Sequence, residues 1–129
     1  MPPFTHTHTH TPHTHTHHHH HHQVLFLYGK NDLACNYVGA KAMAESLPWA
    51  GAAGFRAAPL GPFAPVPTGT DDRARLLAAG LGPGGEAQAF RPEGGGALLW
   101  VQVAAAGHMV PLDEPPSAAA ALALLMDQI

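Results

Sequence analysis

His108 is the residue whose type and position most directly allow acid–base chemistry. It is the one histidine outside the first 22 residues, and it lies in the stretch Gly107–Pro115, just after an apolar run. A neutral imidazole at such a place can act as a general base near neutral pH. A lone histidine after a strand is more often a hydrogen-bonded structural residue, so His108 by itself does not establish catalysis.

Asp32 is the acidic residue that could pair with this histidine. It ends a turn at residues 29–32, which follows the apolar run Val24–Tyr28. In open α/β sheets chemistry takes place at the carboxyl ends of the strands, where Asp32 would lie. The alternative from local sequence is that the same carboxylate stabilises a turn or caps a helix.

Cys35 keeps a second kind of chemistry open. It is the single cysteine of the chain, so an internal disulfide framework is excluded. Free cysteines usually behave as small buried hydrophobes. With His108 as its base, however, Cys35 would be the nucleophile of a Cys-His enzyme, and that alternative stays open at this point.

Two apolar runs would position the candidate residues. Val24–Tyr28 is continuously apolar rather than alternating, and Ala97–Val103 is mostly apolar as well. This pattern predicts parallel strands that are covered on both faces. Because neighbouring parallel strands end at the same edge of a sheet, Asp32 and His108 are expected to meet there.

Helical patterns follow both candidate residues. Asn36 is predicted to cap a first helix, which Pro48 ends. Pro115 and Pro116 are predicted to open a final helix. Large apolar side chains at helical spacing are predicted to face the core in both helices. They are Val38, Met43 and Leu47 in the first helix and Leu122, Leu125, Met126 and Ile129 in the last.

The other segments are less informative. Residues 1–22 contain a Thr/His alternation that ends in six histidines, which predicts a disordered low-complexity tract. We interpret residues 5–22 as translated microsatellite or a gene-model error, with a loose metal-binding tract as the alternative. Residues 23–129 then form one small domain. Within it, residues 51–96 are rich in Gly, Pro and Ala and are predicted to be an irregular surface insertion with a short helix at 71–79.

The composition argues against several classes of partner. The net charge of −3 and the absence of a basic cluster indicate no nucleic-acid partner. No apolar run approaches the ~20 residues that a membrane span needs, so no membrane partner is expected. The N-terminus lacks a basic region followed by an apolar core, so this sequence shows no secretory signal.

Two motifs resemble one known family. The run Asp32–Trp49, beginning Asp-Leu-Ala-Cys-Asn-Tyr-Val-Gly, resembles the motif around the catalytic Asp of serine carboxypeptidases. Gly-His-Met-Val-Pro-Leu-Asp-Glu-Pro at Gly107–Pro115 resembles the motif around their catalytic His. The likeness covers about residues 24–55 and 98–129. It implies the C-terminal part of an α/β-hydrolase fold, with two parallel strands, flanking helices and a long irregular excursion.

The resemblance also implies roles for particular residues. Asp32 would be the acid and His108 the base of a Ser-Asp-His triad. Cys35 would be an unpaired cysteine beside the site, and Asn36 and Met109 would lie at its substrate-binding edge. Met109 would help to line a pocket for the terminal side chain of the substrate. The substrate would be the C-terminus of a peptide, with no cofactor and no metal, in a vacuole, a lysosome or outside the cell.

The sequence departs from the family pattern at the nucleophile. The family places its Ser in Gly-Glu-Ser-Tyr, whereas this chain has only Ser46 and Ser117, each in or beside a predicted helix. An acidic residue usual at the position of Lys30 is also absent. We therefore expect the chain to be marginally folded and inactive by itself. A serine carboxypeptidase-like acyltransferase, an esterase of the same fold and a non-catalytic His-rich metal-binding protein are the alternatives, and the oligomeric state stays open.

Overall fold

Helices lie on both faces of a mixed sheet. The computed structural model describes residues 22–63 and 84–126 of the chain. The strands are β1 (Gln23–Gly29), β2 (Gly61–Phe63), β3 (Gly85–Phe90) and β4 (Ala97–Val103). Their order across the sheet is β1-β4-β3-β2. The predicted α/β class is confirmed, but the sheet has four strands where two were expected.

β1 and β4 form the predicted parallel pair, with Leu27 opposite Val101. Their side chains alternate between two cores, as the two-residue period of a strand requires. Leu27 and Val101 belong to the core on one face, whereas Tyr28 and Trp100 stack on the other with ring centroids 5.1 Å apart. β4 is buried along its whole length because β1 and β3 flank it.

Helix α1 (Tyr37–Ser46) begins and ends where the sequence predicted. The side-chain oxygen of Asn36 caps it by accepting a 2.9 Å hydrogen bond from the amide of Gly39, and the helix stops before Pro48. Its predicted core face is wrong, since Val38 is 63% exposed. Ala44 is buried instead and packs in the core around Trp100. Small side chains on this face let the helix lie close to the large rings of the sheet.

The C-terminal segment forms α3 (Val110–Asp113) and α4 (Pro115–Met126). α4 opens at the predicted prolines, but its expected core stripe is wrong because Leu122 and Met126 are more than half exposed. The buried residues of α4 are Ser117, Ala118, Ala120 and Ala121. A face of short side chains brings the helix close to the sheet, so that Leu124 reaches the core while Leu122 and Met126 stay exposed.

Residues 51–96 are not an irregular insertion where they are described. They form α2 (Ala52–Ala57), β2 and β3, and β3 pairs antiparallel with β4 from Gly85 to Phe90. Gln88 on β3 joins this strand to α2, since its side-chain amide donates to the carbonyls of Phe55 and Ala58. Backbone pairing, the Gln88 amide and isolated large side chains such as Phe55 and Phe63, which are buried in the two cores, therefore order a segment whose sequence shows no regular hydrophobic period.

Some sequence predictions lie outside the described residues. These are the Thr/His tract up to residue 21, the short helix at 71–79 and the core position of Ile129. The division of the chain at residue 22 therefore stays a prediction. Among the helices of the described ranges, none has the length and apolar character needed to cross a membrane.

Candidate active site

The segments that carry Asp32 and His108 leave adjacent strands and run side by side. We refer to residues 30–36, which follow β1, as the Asp32 loop and to residues 104–109, which follow β4, as the His108 loop. The amide of Lys30 donates to the carbonyl of Val103 (2.9 Å), and the amide of Asn31 donates to that of Ala106 (3.0 Å). The parallel pairing of β1 and β4 thus continues beyond the strands and fixes one loop against the other.

Gly29 makes this close approach possible. A Cβ atom at this position would lie 2.1 Å from the carbonyl oxygen of Gly107 and 2.3 Å from that of Ala106. These neighbours are backbone atoms, which cannot move out of the way by rotating about a side-chain bond. A larger residue at position 29 would therefore push the two loops apart. Glycine at the end of β1 is therefore a geometric requirement for bringing the two loops together.

Asp32 uses both of its carboxylate oxygens. Oδ1 accepts hydrogen bonds from the amides of Ala34 (3.0 Å) and Cys35 (2.9 Å), and Oδ2 lies 2.6 Å from Nδ1 of His108. Its side chain is only 7% exposed. The hydrogen bond from the Cys35 amide, and next the contact with His108, lower the pKa of Asp32 below its ordinary value of 3.8. The carboxylate thus stabilises its own turn and binds the histidine, which joins the two roles that the sequence left open.

His108 is much more accessible than its partner. Its side chain is 70% exposed, although its Nδ1 is in contact with a buried carboxylate. With the proton on Nδ1, the imidazole donates to Asp32 Oδ2 and keeps a lone pair on Nε2. The contact joins residues 76 positions apart in the chain. The structure therefore brings together the two residues that the sequence predicted to meet.

Two acidic residues missed by the sequence reasoning hold the loops in place. Asp113, at the end of α3, accepts a 2.8 Å hydrogen bond from the amide of Gly107 in the His108 loop. Glu86, on β3, forms a 2.9 Å ion pair with Lys30 in the Asp32 loop. A carboxylate six residues after Gly107 gave a weak signal for the first contact. The second had no local signal, because it depends on β3 lying beside β4.

The other predicted site residues differ in how they are placed relative to the Asp32–His108 pair. Cys35 is an exposed free cysteine, and its sulfur, a His108 ring nitrogen and an Asp32 carboxylate oxygen all lie within 4.8 Å of one another. Within residues 22–63 and 84–126, these three residues have potential ligand atoms close enough together to hold a metal ion. Asn36 is exposed and its side-chain oxygen caps α1, so that oxygen serves the helix. Met109 is exposed next to His108.

Neither serine is paired with His108 in residues 22–63 and 84–126. The Ser46 hydroxyl, near the end of α1, donates to the carbonyl of Met43 at 2.7 Å. Ser117 is fully buried within α4. Both positions agree with the prediction that these residues lie in or beside helices. The described residues thus place a carboxylate in contact with an imidazole, but neither serine lies in position to pair with that imidazole.

Comparison with known proteins gives a family. Residues 4–128 match the family model described as serine carboxypeptidase. The chain is 33% identical over 92 residues to the pheromone-processing carboxypeptidase kex1 of Schizosaccharomyces pombe, which is 71% of this chain and 15% of that protein. It is 32% identical over 92 residues to the carboxypeptidase Y homolog A of Neurospora crassa, again 71% of this chain and 14% of the relative.

A further relative extends the match along the chain. The pheromone-processing carboxypeptidase KEX1 of Clavispora lusitaniae is 30% identical over 103 residues, 80% of this chain and 13% of the relative. This chain therefore spans about one seventh of the length of these relatives. No solved structure matches the chain. Because the family model covers nearly all of the sequence, the chain belongs to the serine carboxypeptidase family.

Proposed function

We propose that these residues form the acid–base part of a serine carboxypeptidase active site, in which Asp32 is the triad acid and His108 the triad base. The observation that carries the proposal is the 2.6 Å contact between Asp32 Oδ2 and His108 Nδ1 at the carboxyl ends of adjacent parallel strands. The complete enzyme would remove C-terminal residues from peptides. The described fold would be the C-terminal part of an α/β hydrolase.

The geometry suits the two steps of acyl transfer. Asp32 holds the proton on Nδ1 and thereby fixes the tautomer and the orientation of the ring. Nε2 is then free to take the proton of a serine hydroxyl as that oxygen attacks the peptide carbonyl. The same proton passes to the nitrogen of the leaving residue. Water then attacks the acyl-enzyme. His108 again takes a proton, this time from the water, and passes it to the serine oxygen as the acyl group leaves.

The nucleophile would come from outside these 129 residues. Ser46 is bonded to its own helix and Ser117 is buried, so neither is positioned to attack a substrate. The accessible ring of His108 is the natural place for a separate segment to dock its serine. We therefore expect the purified 129-residue chain to hydrolyse no peptide. Labelling of Ser46 or Ser117 by a serine-directed phosphonylating reagent would contradict this expectation.

Three residues are proposed to border the substrate. Met109 is exposed beside His108 and has the flexible apolar side chain that suits a pocket for a terminal side chain. Cys35 would lie beside the reacting atoms without acting as the nucleophile. Asn36 would act through its amide nitrogen, because its oxygen caps α1. By family, we propose that the enzyme works in the secretory route.

A hybrid enzyme tests the proposal. The segment of the Schizosaccharomyces pombe relative that matches this chain is replaced by residues 23–129, and release of C-terminal residues from a peptide is measured. We expect activity in the hybrid and a loss of about ten-thousandfold in kcat/KM in the variants Asp32→Asn and His108→Ala. Glu93→Gln, a carboxylate change on a distant loop, is the matched control. A folded but inactive hybrid, or full activity in both variants, would refute the assigned roles.

A further inference from the structure

We propose that Asp32, Cys35 and His108 form a binding site for a borderline-soft divalent cation, best matched by Zn²⁺, and that the bound ion blocks His108 as a base. One donor atom from each residue lies within 4.8 Å of the other two. Neither the family resemblance nor the relatives' names assign a metal to these positions. The binding site is independent of the proposed function, while its effect on catalysis rests on it.

The donor set selects the metal. A thiolate, an imidazole and a carboxylate are the ligands that zinc uses, and three protein ligands with one water is the usual open zinc site. Mg²⁺ and Ca²⁺ prefer all-oxygen ligands, so the Cys35 sulfur disfavours them. Cys35 would lose its thiol proton to solvent as the sulfur–metal bond forms.

The positions of the ligands fit closure around an ion. In a tetrahedral zinc site with bonds of about 2.0–2.3 Å, neighbouring donor atoms lie roughly 3.3–3.7 Å apart. His108 Nδ1 and Asp32 Oδ2 are 2.6 Å apart, and no two of the three donors are more than 4.8 Å apart, so shifts of about 1 Å that part the closest pair and narrow the widest separation complete the site. Cys35 and His108 are exposed and can make these shifts, while Asp32 is fixed by its bonds to the amides of Ala34 and Cys35.

The surrounding charges permit a cation at this place. Lys30 is the basic residue nearest in sequence to the group, and its ammonium is already paired with Glu86 at 2.9 Å. An aspartate carboxylate is ionised near neutral pH, so Asp32 offers the metal an anionic ligand without losing a proton.

Metal binding and acid–base catalysis exclude each other at His108. In the proposed triad, Nδ1 carries the proton shared with Asp32 and Nε2 receives the proton of the serine. A metal on Nδ1 displaces the first proton and a metal on Nε2 occupies the lone pair needed for the second. Either coordination leaves the enzyme without its base, so the ion would act as a reversible inhibitor.

Cobalt titration of the full chain tests the site. Co²⁺ replaces Zn²⁺ in such sites, and a cobalt–thiolate bond gives a near-ultraviolet charge-transfer band. Cys35 is the single cysteine, so any such band reports Cys35. We expect the band to grow until about one Co²⁺ ion is bound at the site. It should disappear when Zn²⁺ is added, and it should be absent in Cys35→Ser.

The histidine-rich tract makes the controls necessary. Eleven of the 12 histidines lie in residues 1–22 and will bind cobalt weakly, but through nitrogen alone. If the proposed site is correct, His108→Ala and Asp32→Asn, which leave the tract unchanged, will weaken the affinity that the band reports by about tenfold or more. Glu93→Gln will leave it unchanged. Circular dichroism establishes that each variant is folded.

Two results would overturn the proposal. The first is the absence of a charge-transfer band in the folded wild-type chain. The second is a band of unchanged strength in both His108→Ala and Asp32→Asn, which would show that Cys35 takes its other ligands from the tract. Neither result depends on hydrolysis. Failure of the metal site and failure of the hybrid enzyme are therefore separate outcomes.

Discussion

The Asp32 loop and the His108 loop leave neighbouring strands at the same edge of the sheet, yet they hold their functional side chains in opposite ways. The Asp32 carboxylate is buried and has three hydrogen-bond partners, two of which belong to its own loop. The His108 ring is exposed, and the contact that fixes it is the one with Asp32. Asp32 is therefore positioned mainly by its own segment, whereas the position of the His108 ring depends on Asp32.

This difference matches the tasks proposed for the two residues. A carboxylate that orients a histidine does not have to contact the substrate, so it can be buried without loss of function. A base that exchanges protons with a nucleophile and a leaving group must present one nitrogen outward. This asymmetry places most of the preorganisation of the site on the β1 side, in the Asp32 loop.

The largest effect is expected where both loops are forced apart. In Gly29→Ala the new methyl group would lie 2.1 Å from a backbone oxygen of the His108 loop. We expect a loss of about 3 kcal/mol in the free energy of unfolding, since overpacking against backbone cannot be relieved by side-chain rotation. Urea unfolding followed by circular dichroism measures it.

Gly61→Ala is the matched control for this change. Gly61 lies in β2, and a Cβ atom there has nothing within 4 Å. We expect its unfolding free energy to stay within about 0.5 kcal/mol of the wild-type value. Equal effects of the two substitutions would show that the close approach of the loops contributes no stability.

A smaller effect separates the two causes that lower the Asp32 pKa. The hydrogen bond from the Cys35 amide is the larger cause and the contact with His108 the second. In His108→Ala we therefore expect the pKa of Asp32 to remain below its ordinary value of 3.8. Carboxyl carbon chemical shifts measured against pH test this. A pKa that returns to the ordinary value would mean that the histidine, and not the loop, organises the acid.

The lowered pKa of Asp32 also predicts that the fold loses stability in acid. Because the pKa of Asp32 is lower in the folded chain than in the unfolded chain, ionised Asp32 stabilises the fold above pH 3.8. This contribution is lost as the pH falls through the folded-state pKa. Asp32→Asn should flatten the stability profile below pH 3.8. An unchanged profile in Asp32→Asn would show that other carboxylates cause the acid sensitivity.

The sequence predicted the parts of the fold that depend on local patterns. Continuous apolar runs located β1 and β4, and the caps and prolines located the starts of α1 and α4. Parallel strands must end at one edge, so the meeting of Asp32 and His108 also followed. The resemblance added the family, which the comparisons confirmed.

The remaining features depend on contacts between distant segments. The helices bury alanines such as Ala44 and Ala121, and alanine gives no amphipathic signal that distinguishes one face from another. β3 is specified by its pairing with β4, by the Gln88 amide and by the packing of Phe90 in the core around Trp100, and a single large apolar residue gives no strand pattern in the sequence. The roles of Glu86 and Asp113 required that same tertiary arrangement.

Asp113 gives the smallest and most local test of the asymmetry. Its carboxylate accepts the hydrogen bond of the Gly107 amide, and this is the side-chain contact from α3 that steadies the His108 loop. If the base depends on such supports, Asp113→Ala should make the Gly107 amide exchange with solvent about fivefold faster, as expected for loss of roughly 1 kcal/mol. The amides of Ala34 and Cys35 should keep their protection, because Asp32 holds them. Glu114→Ala, one position further along, is the control and should leave all three amides unchanged. Faster exchange of Ala34 and Cys35 in Asp113→Ala would show instead that the two loops open as one unit, so that the acid relies on the His108 loop as much as the base relies on the acid.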